Sequence, residues 1–169
     1  MSTMLEAELL AHLDAQIASA KRLLALILEQ GAAIRARDVD GVLGRLAEIQ
    51  TEMGRRGRLE HDRTALLQRA GVALGVGAAA VTLERLCTLV TPEAARSARE
   101  RSAELRGLLA EIAREHGINR ALMRQELAFL SHLIRLVGGE PEPAYKPGAA
   151  QGSRPGGAAA AYRVLDLQA

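Results

Sequence analysis

Apolar residues recur along the first 70 positions at steps of three and four, the spacing of one face of an α-helix. A second such segment, from about Val39 to Ala70, follows Asp38, which is a good helix N-cap. Because the turn between the two segments is very short, they are predicted to form an antiparallel hairpin. The first segment runs from about Met4 to Arg37, and its apolar face contains Leu5, Leu9, Leu13, Ile17, Ala20, Leu24, Ile27 and Leu28.

Glycine and proline divide the rest of the chain. The stretch 71–77 contains three glycines and predicts a break, followed by a short helix from about Ala78 to Val90. Thr91 as N-cap and Pro92 at the first helical position then predict a third long helix. This helix is predicted to reach about Val137 without a break, with a tight break at Gly117 as the alternative.

Composition changes after the third helix. Gly138-Gly139 is predicted to end that helix, and four of the five prolines lie beyond residue 140. Residues 139–169 are therefore predicted to be a disordered Gly/Pro/Ala-rich tail behind a helical domain of residues 1–138. Near its end the tail carries the apolar string 161–167, which is either a docking peptide or an inert, frayed terminus.

The predicted fold class is all-α, with an elongated antiparallel hairpin, a third long helix, a short helix and a disordered tail. Hydrophobic residues make up 49% of the chain but aromatic residues only 2%. A core built from Leu and Ala suits closely packed helices, in a bundle or a coiled-coil-like arrangement. Such a chain can bury a core without the area that aromatic rings supply.

The expected location is the cytoplasm. Cys87 is the only cysteine, so no internal disulfide can form, which fits a reducing compartment. The first 13 residues lack the basic region of a signal peptide. The longest uncharged stretch, residues 70–83, is too short for a membrane span of about 20 residues, so no stable membrane insertion is expected.

No catalytic, cofactor-binding or metal-binding set is predicted from the sequence. The four histidines form neither an H-E-x-x-H motif nor paired Glu-x-x-His repeats. Cys87 lies on the apolar side of the predicted short helix and is interpreted as a buried small hydrophobe. An enzyme is therefore the least favoured class.

The densest basic stretch lies on the second segment and contains Arg55, Arg56, Arg58, Arg63 and Arg69. Acidic residues are interleaved with these arginines at helical spacing, so ion pairs should absorb much of the charge. No aromatic side chain stands there to stack a base. With a net charge of only +2, a solvated helix face is favoured, and no nucleic-acid partner is expected.

The third helix has more apolar surface than one packing stripe requires. Leu108, Leu127, Ile134 and Leu136 lie beside its main face, which contains Phe129. The excess around residues 118–137 indicates a partner, either a second copy of the chain or a client helix. The alternative is that the predicted short helix 78–90 covers it.

Two stretches carry a resemblance to a known family. The first is Asp62-Arg63-Thr64-Ala65-Leu66-Leu67 followed by Gly71. The second is N-R-A-L-M-R-Q-E-L-A-F-L, starting at Asn119, followed by Leu133, Tyr145 and Gly148. Over about residues 5–148 the chain resembles the FlgN family of bacterial flagellar export chaperones.

The resemblance implies a function and a division of labour. Such chaperones bind the C-terminal helices of the hook–filament junction proteins FlgK and FlgL, prevent premature assembly and deliver them to the flagellar type III export gate. Tyr145 would contact a gate component. A generic coiled-coil adaptor that self-associates, for instance as a homodimer, is the alternative. The client-binding residues that the resemblance implies on the third helix are Asn119, Leu122, Leu127, Phe129, Leu130, Leu133 and Val137.

Overall fold

The computed structural model describes residues 2–137, and within them every regular element is helical. The elements are α1 (Ser2–Ala36), α2 (Val39–Leu74), a 3₁₀ turn (Ala78–Ala80), α3 (Leu83–Cys87) and α4 (Pro92–Val137). The all-α prediction is confirmed. The proposed tail, residues 139–169, lies outside the described residues.

Helices α1 and α2 form the antiparallel hairpin that the short turn predicted. The Asp38 side chain accepts a hydrogen bond from the Gly41 backbone N–H at 2.9 Å, which caps the start of α2. Arg37 reverses the chain with a positive φ of 55°. Most of the predicted α1 face is buried, but Leu28 is 46% exposed and Leu23 is 5% exposed, so the packing face turns slightly away from the predicted one.

Helix α2 continues four residues past the predicted end, to Leu74, and includes Gly71. The helix ends at Gly75, which adopts a left-handed conformation with φ 67°. A Cβ atom on Gly71 would lie 2.7 Å from the Val76 carbonyl oxygen, so a glycine is needed there for the chain to fold back. The glycines at this point are therefore used for the exit from the helix rather than as a linker.

The predicted helix over 78–90 is wrong in extent. Residues 78–80 form a 3₁₀ turn, and the α-helical part is only Leu83–Cys87. The β-branched pair Val81-Thr82 is extended, and the Thr82 hydroxyl accepts a hydrogen bond from the Arg85 N–H at 3.3 Å. Thr82 therefore starts a new helix instead of continuing the earlier turn.

Helix α4 is continuous through Gly117, as predicted, and it runs parallel to α1. Its 46 residues span about 69 Å. Thr91 caps it, accepting from the Ala94 N–H at 3.3 Å, while Glu6 of α1 accepts from the Thr91 hydroxyl at 3.0 Å. Contacts of α4 with α1 and the turn after it follow in the same order along both segments: Asp14 with Arg101, Lys21 with Glu104, Ile27 with Asn119, and Arg37 with Glu126.

The main apolar core lies at one end of the molecule, here called the base. It is formed by the start of α1, the end of α2, the 78–90 segment and the first turns of α4. Its buried members are Leu9, Leu13, Leu66, Ala70, Val81, Leu86, Cys87, Ala95 and Ala98. Four chain segments meet there, so each apolar side chain has neighbours on several sides.

Candidate client-binding surface

A buried amide fixes α4 against α1 in the half of the bundle near the hairpin turn, away from the base. Asn119 is 2% exposed, and its Nδ2 donates to the Ile27 carbonyl oxygen at 2.8 Å and to Gln30 Oε1 at 3.4 Å. A Cβ on Gly31 would lie 2.6 Å from Asn119 Oδ1, so Gly31 makes the space that the amide occupies. Asn119 thus fixes the register of α4, as buried polar residues do in coiled coils.

A buried carboxylate fixes α2 against α1 in the same half. Glu52 is 2% exposed and accepts from the Ser19 hydroxyl at 2.6 Å, and from Arg22 and Arg55 at 3.2 Å. Burial alone would raise the pKa of Glu52, but the hydrogen bonds from Arg22 and Ser19 and the charge of Arg22 outweigh it. The pKa therefore lies below its usual value, and the carboxylate stays charged.

The packing seam of α4 follows alternating steps of three and four, as in a coiled coil. Every position of this seam from 98 to 126 is buried or half-buried. Several of its members are polar, including the buried Asn119. The seam positions are Ala98, Arg101, Leu105, Leu108, Ile112, Glu115, Asn119, Leu122 and Glu126.

Beyond Glu126 the seam continues without a partner. Glu126 pairs with Arg37, at the hairpin turn, with 3.6 Å between Oε2 and Nε. Because α1 ends at Ala36, the following 11 residues of α4 extend about 16 Å past the hairpin. This segment, residues 127–137, is here called the overhang, and each of its residues is exposed.

The overhang is the most apolar exposed part of the described chain. The same three-and-four spacing places Phe129, Leu133 and Leu136 on its seam, with exposures of 50%, 38% and 66%. Leu130 and Val137 lie beside them, 51% and 87% exposed. The seam is thus more apolar where it has no partner than where it packs on α1. Exposed apolar surface of this kind makes the overhang the candidate binding surface of the described chain.

The predicted client residues separate into two groups. Five of the seven, Leu127, Phe129, Leu130, Leu133 and Val137, lie on the overhang. Leu122 is half-buried in the bundle, and Asn119 is buried against α1, where it links two helices instead of facing solvent. Tyr145 lies outside the described residues.

Two further overhang residues were not among the predicted client contacts. Ile134 and Leu136 are 70% and 66% exposed and complete the apolar surface around the helix end. The three-and-four count from Glu126 leads to Leu136, so the sequence contained that signal. Sequence alone did not show that α1 ends level with residue 126.

Helix α3 does not cover the overhang, so that alternative is wrong. The helix packs on the first turns of α4, where Arg99 donates to Glu84 at 2.7 Å and 3.1 Å. This contact lies at the base, at the opposite end of α4 from the overhang. The overhang therefore has no covering element within the described part of the chain.

The other side chains considered for chemistry, Cys87 and the arginines of the basic stretch, make contacts within the bundle. Cys87 is buried, its thiol donates weakly to the Ala95 carbonyl at 3.7 Å, and burial raises its pKa. In the basic stretch, Arg55 and Arg63 pair with glutamates three residues earlier, and Arg69 pairs with Glu8 of α1. Among residues 2–137, no three His, Cys, Asp or Glu side chains are grouped to hold a metal ion.

Three long helices with an exposed apolar helix end define an all-α bundle whose candidate site is a surface for another helix. The sequence model of the FlgN protein family matches residues 1–152, so the chain belongs to the FlgN family. This is a family of flagellar export chaperones and is not known for enzymatic activity. No curated protein and no solved structure gives a match. None of the described helices is both long and apolar enough to cross a membrane.

Proposed function

We propose that this chaperone binds the C-terminal helices of FlgK- and FlgL-like junction proteins on the α4 overhang. The supporting observation is the unpartnered seam, in which Phe129, Leu133 and Leu136 continue the spacing that packs α4 on α1. A surface with helical spacing fits an amphipathic helix, whose apolar stripe would take the place that α1 leaves empty. The client helix would thus extend the bundle.

The same contact accounts for protection of the client. An amphipathic helix that is meant for assembly exposes an apolar stripe until its final partner arrives. Covering that stripe with the overhang removes it from premature association in the cell. Because the buried contact would be short, binding would be reversible, and the client could be released at the export gate.

Delivery to the gate is the second part of the proposal, and it rests on the family resemblance at Tyr145. An aromatic anchor in a segment of low apolar content suits a weak contact that forms and breaks quickly. Tyr145→Ala is expected to impair export of the client in a motility or secretion assay and to leave client affinity intact. Loss of client binding with normal docking at the gate would refute this role.

Client binding can be tested by calorimetric titration with FlgK and FlgL C-terminal peptides. Leu130→Asp places a charge on the overhang and is expected to weaken binding roughly 30-fold or more, since buried interface anchors are worth about 2 kcal/mol. Leu43→Asp on α2 is the matched control, because Leu43 is 57% exposed against 51% for Leu130. Equal affinity of the two variants would place the client site elsewhere.

Self-association is the competing use of the same surface. A homodimer would bury the overhang of one copy against the other and leave no room for a client. Sedimentation of the full chain at increasing concentration separates the two. A stable dimer that dissociates on Leu130→Asp, and that client peptides cannot open, would favour an adaptor over a chaperone.

A further inference from the structure

The chain carries a second apolar element close to the overhang in sequence. Residues 138–160 contain no Val, Leu, Ile, Met or Phe, and 16 of these 23 residues are Gly, Pro or Ala. Aliphatic residues return only in the string Tyr162-Arg163-Val164-Leu165-Asp166-Leu167. This string lies beyond residue 152, where the match to the FlgN family ends, so it belongs to this chain rather than to the family pattern.

The tether is long enough for the string to return to the overhang. Its 23 residues can span at most about 76 Å, and their composition predicts an average end-to-end distance of roughly 26 Å. The overhang is about 16 Å long and ends where the tether begins. A string held this close to its surface has an effective concentration of about a millimolar.

The chemistry of the two elements is complementary. The overhang offers seven large apolar side chains, and Arg135 is its one charged residue, with no ion-pair partner among residues 2–137. The string offers one aromatic and three aliphatic side chains, with Asp166 available to Arg135. We propose that residues 162–167 dock on the overhang of the same chain and cover it when no client is bound.

The consequence is competition, and this part of the inference depends on the proposed client site. A client helix would have to displace the string, so its apparent affinity would equal its intrinsic affinity multiplied by the fraction of time that the overhang is free. A string that occupies the overhang 70–90% of the time would lower client affinity about 3- to 10-fold. The covered state would also shield the apolar surface from unrelated proteins.

Self-docking can be measured without any client. A nitroxide attached at Gln168→Cys in the full chain is expected to attenuate the NMR methyl signals of Leu130, Leu133 and Ile134. The native Cys87 would not compete for the label, since it is 7% exposed and burial raises the pKa of its thiol. Leu165→Asp is expected to abolish the attenuation, and Ala159→Asp, which adds the same charge within the tether, to preserve it.

Three results would overturn self-docking. The first is the absence of selective attenuation on the overhang. The second is attenuation confined to the other exposed apolar residues, on α2 between Val39 and Met53. The third is attenuation that appears only between differently labelled chains in a mixture, which would mean that the string reaches a second copy.

Titration with FlgK and FlgL C-terminal peptides tests the competition. Leu165→Asp is expected to bind the peptide about 3- to 10-fold more tightly than the unmodified chain, and Ala159→Asp to bind like the unmodified chain. Contact on the overhang with no peptide binding by any variant would sink the proposed function and leave self-docking intact. Peptide binding without that contact would refute self-docking and leave the proposed function intact. Contact on the overhang, with the same peptide affinity for Leu165→Asp and the unmodified chain, would refute the competition.

Discussion

The base of the bundle and the overhang carry similar apolar side chains but differ in what surrounds them. At the base, Leu9 and Leu86 are 3% and 5% exposed, because four chain segments meet there. On the overhang, Leu130 and Leu136 are 51% and 66% exposed, because α4 extends past every other described element. The base holds this chain together, and the overhang is available to another helix.

The region between them is held by polar contacts that specify geometry. Asn119 fixes α4 on α1, and Glu52 fixes α2 on α1 through Ser19 and Arg22. Buried polar groups of this kind tolerate few alternative arrangements, since a shifted register would leave them without partners. They therefore hold the end of α4 in a fixed position past the hairpin turn.

The largest expected contrast is between a leucine of the base and one of the overhang. Leu9→Ala leaves a cavity in the core and is expected to lower the free energy of unfolding by about 2–5 kcal/mol. Leu130 is already 51% exposed, so Leu130→Ala leaves no buried cavity and is expected to change the free energy of unfolding by less than about 0.5 kcal/mol. Urea unfolding followed by circular dichroism measures both changes. Equal losses of unfolding free energy would contradict the distinction between a stabilising base and an exposed overhang.

A smaller effect is expected for the buried carboxylate. Glu52→Gln keeps the shape of the side chain but loses the charge that Arg22 and Arg55 stabilise. It should therefore lower the free energy of unfolding by about 1–2 kcal/mol at pH 7. The pKa of Glu52 is lowered in the folded state, so its stabilisation is present above the unfolded pKa of about 4.3 and is lost as pH falls through the folded pKa. The difference in the free energy of unfolding between the parent chain and the variant should therefore disappear in acid. A difference that persists or grows in acid would contradict this explanation.

The smallest effects distinguish two glycines of similar appearance in the sequence. Gly117→Ala has open space around it and is expected to stabilise the chain by about 0.5–1 kcal/mol through helix propensity. Gly31→Ala is expected to destabilise by about 1 kcal/mol, because the added Cβ displaces the buried amide of Asn119. In an Asn119→Ala background the sign of Gly31→Ala should reverse, which thermal unfolding of the four chains in this cycle can measure. The same sign in both backgrounds would refute the steric account.

The arrangement and extent of the long helices were predictable where the apolar periodicity was strong. The hairpin, the start of α4 at Pro92 and its continuity through Gly117 all follow from three-and-four spacing and from proline placement. The extent of the 78–90 segment was not predictable, because the preference of Val81-Thr82 for an extended conformation competes with the helical tendency of the flanking alanines.

The exposure of the proposed client surface was not predictable for a similar reason. Periodicity places Phe129, Leu130 and Leu133 on one face, but it does not distinguish a covered face from an open one. Exposure depends on where α1 ends relative to α4, and that is set by the contacts of Asn119 and Glu126 with α1 and the hairpin turn. The same ambiguity put Asn119 among the predicted client contacts, although its amide is directed into the bundle.

Hydrogen exchange of the full chain, with and without a FlgK or FlgL C-terminal peptide, tests the central claim most directly. Amides of the overhang belong to a helix end on which no other described element packs, so they should exchange faster than those of the base in the free protein. On peptide binding, exchange is expected to slow most over residues 127–137 and to remain unchanged at the base. Slowing centred on α2 or on the base, with no change over 127–137, would contradict the proposal that the overhang is the client site.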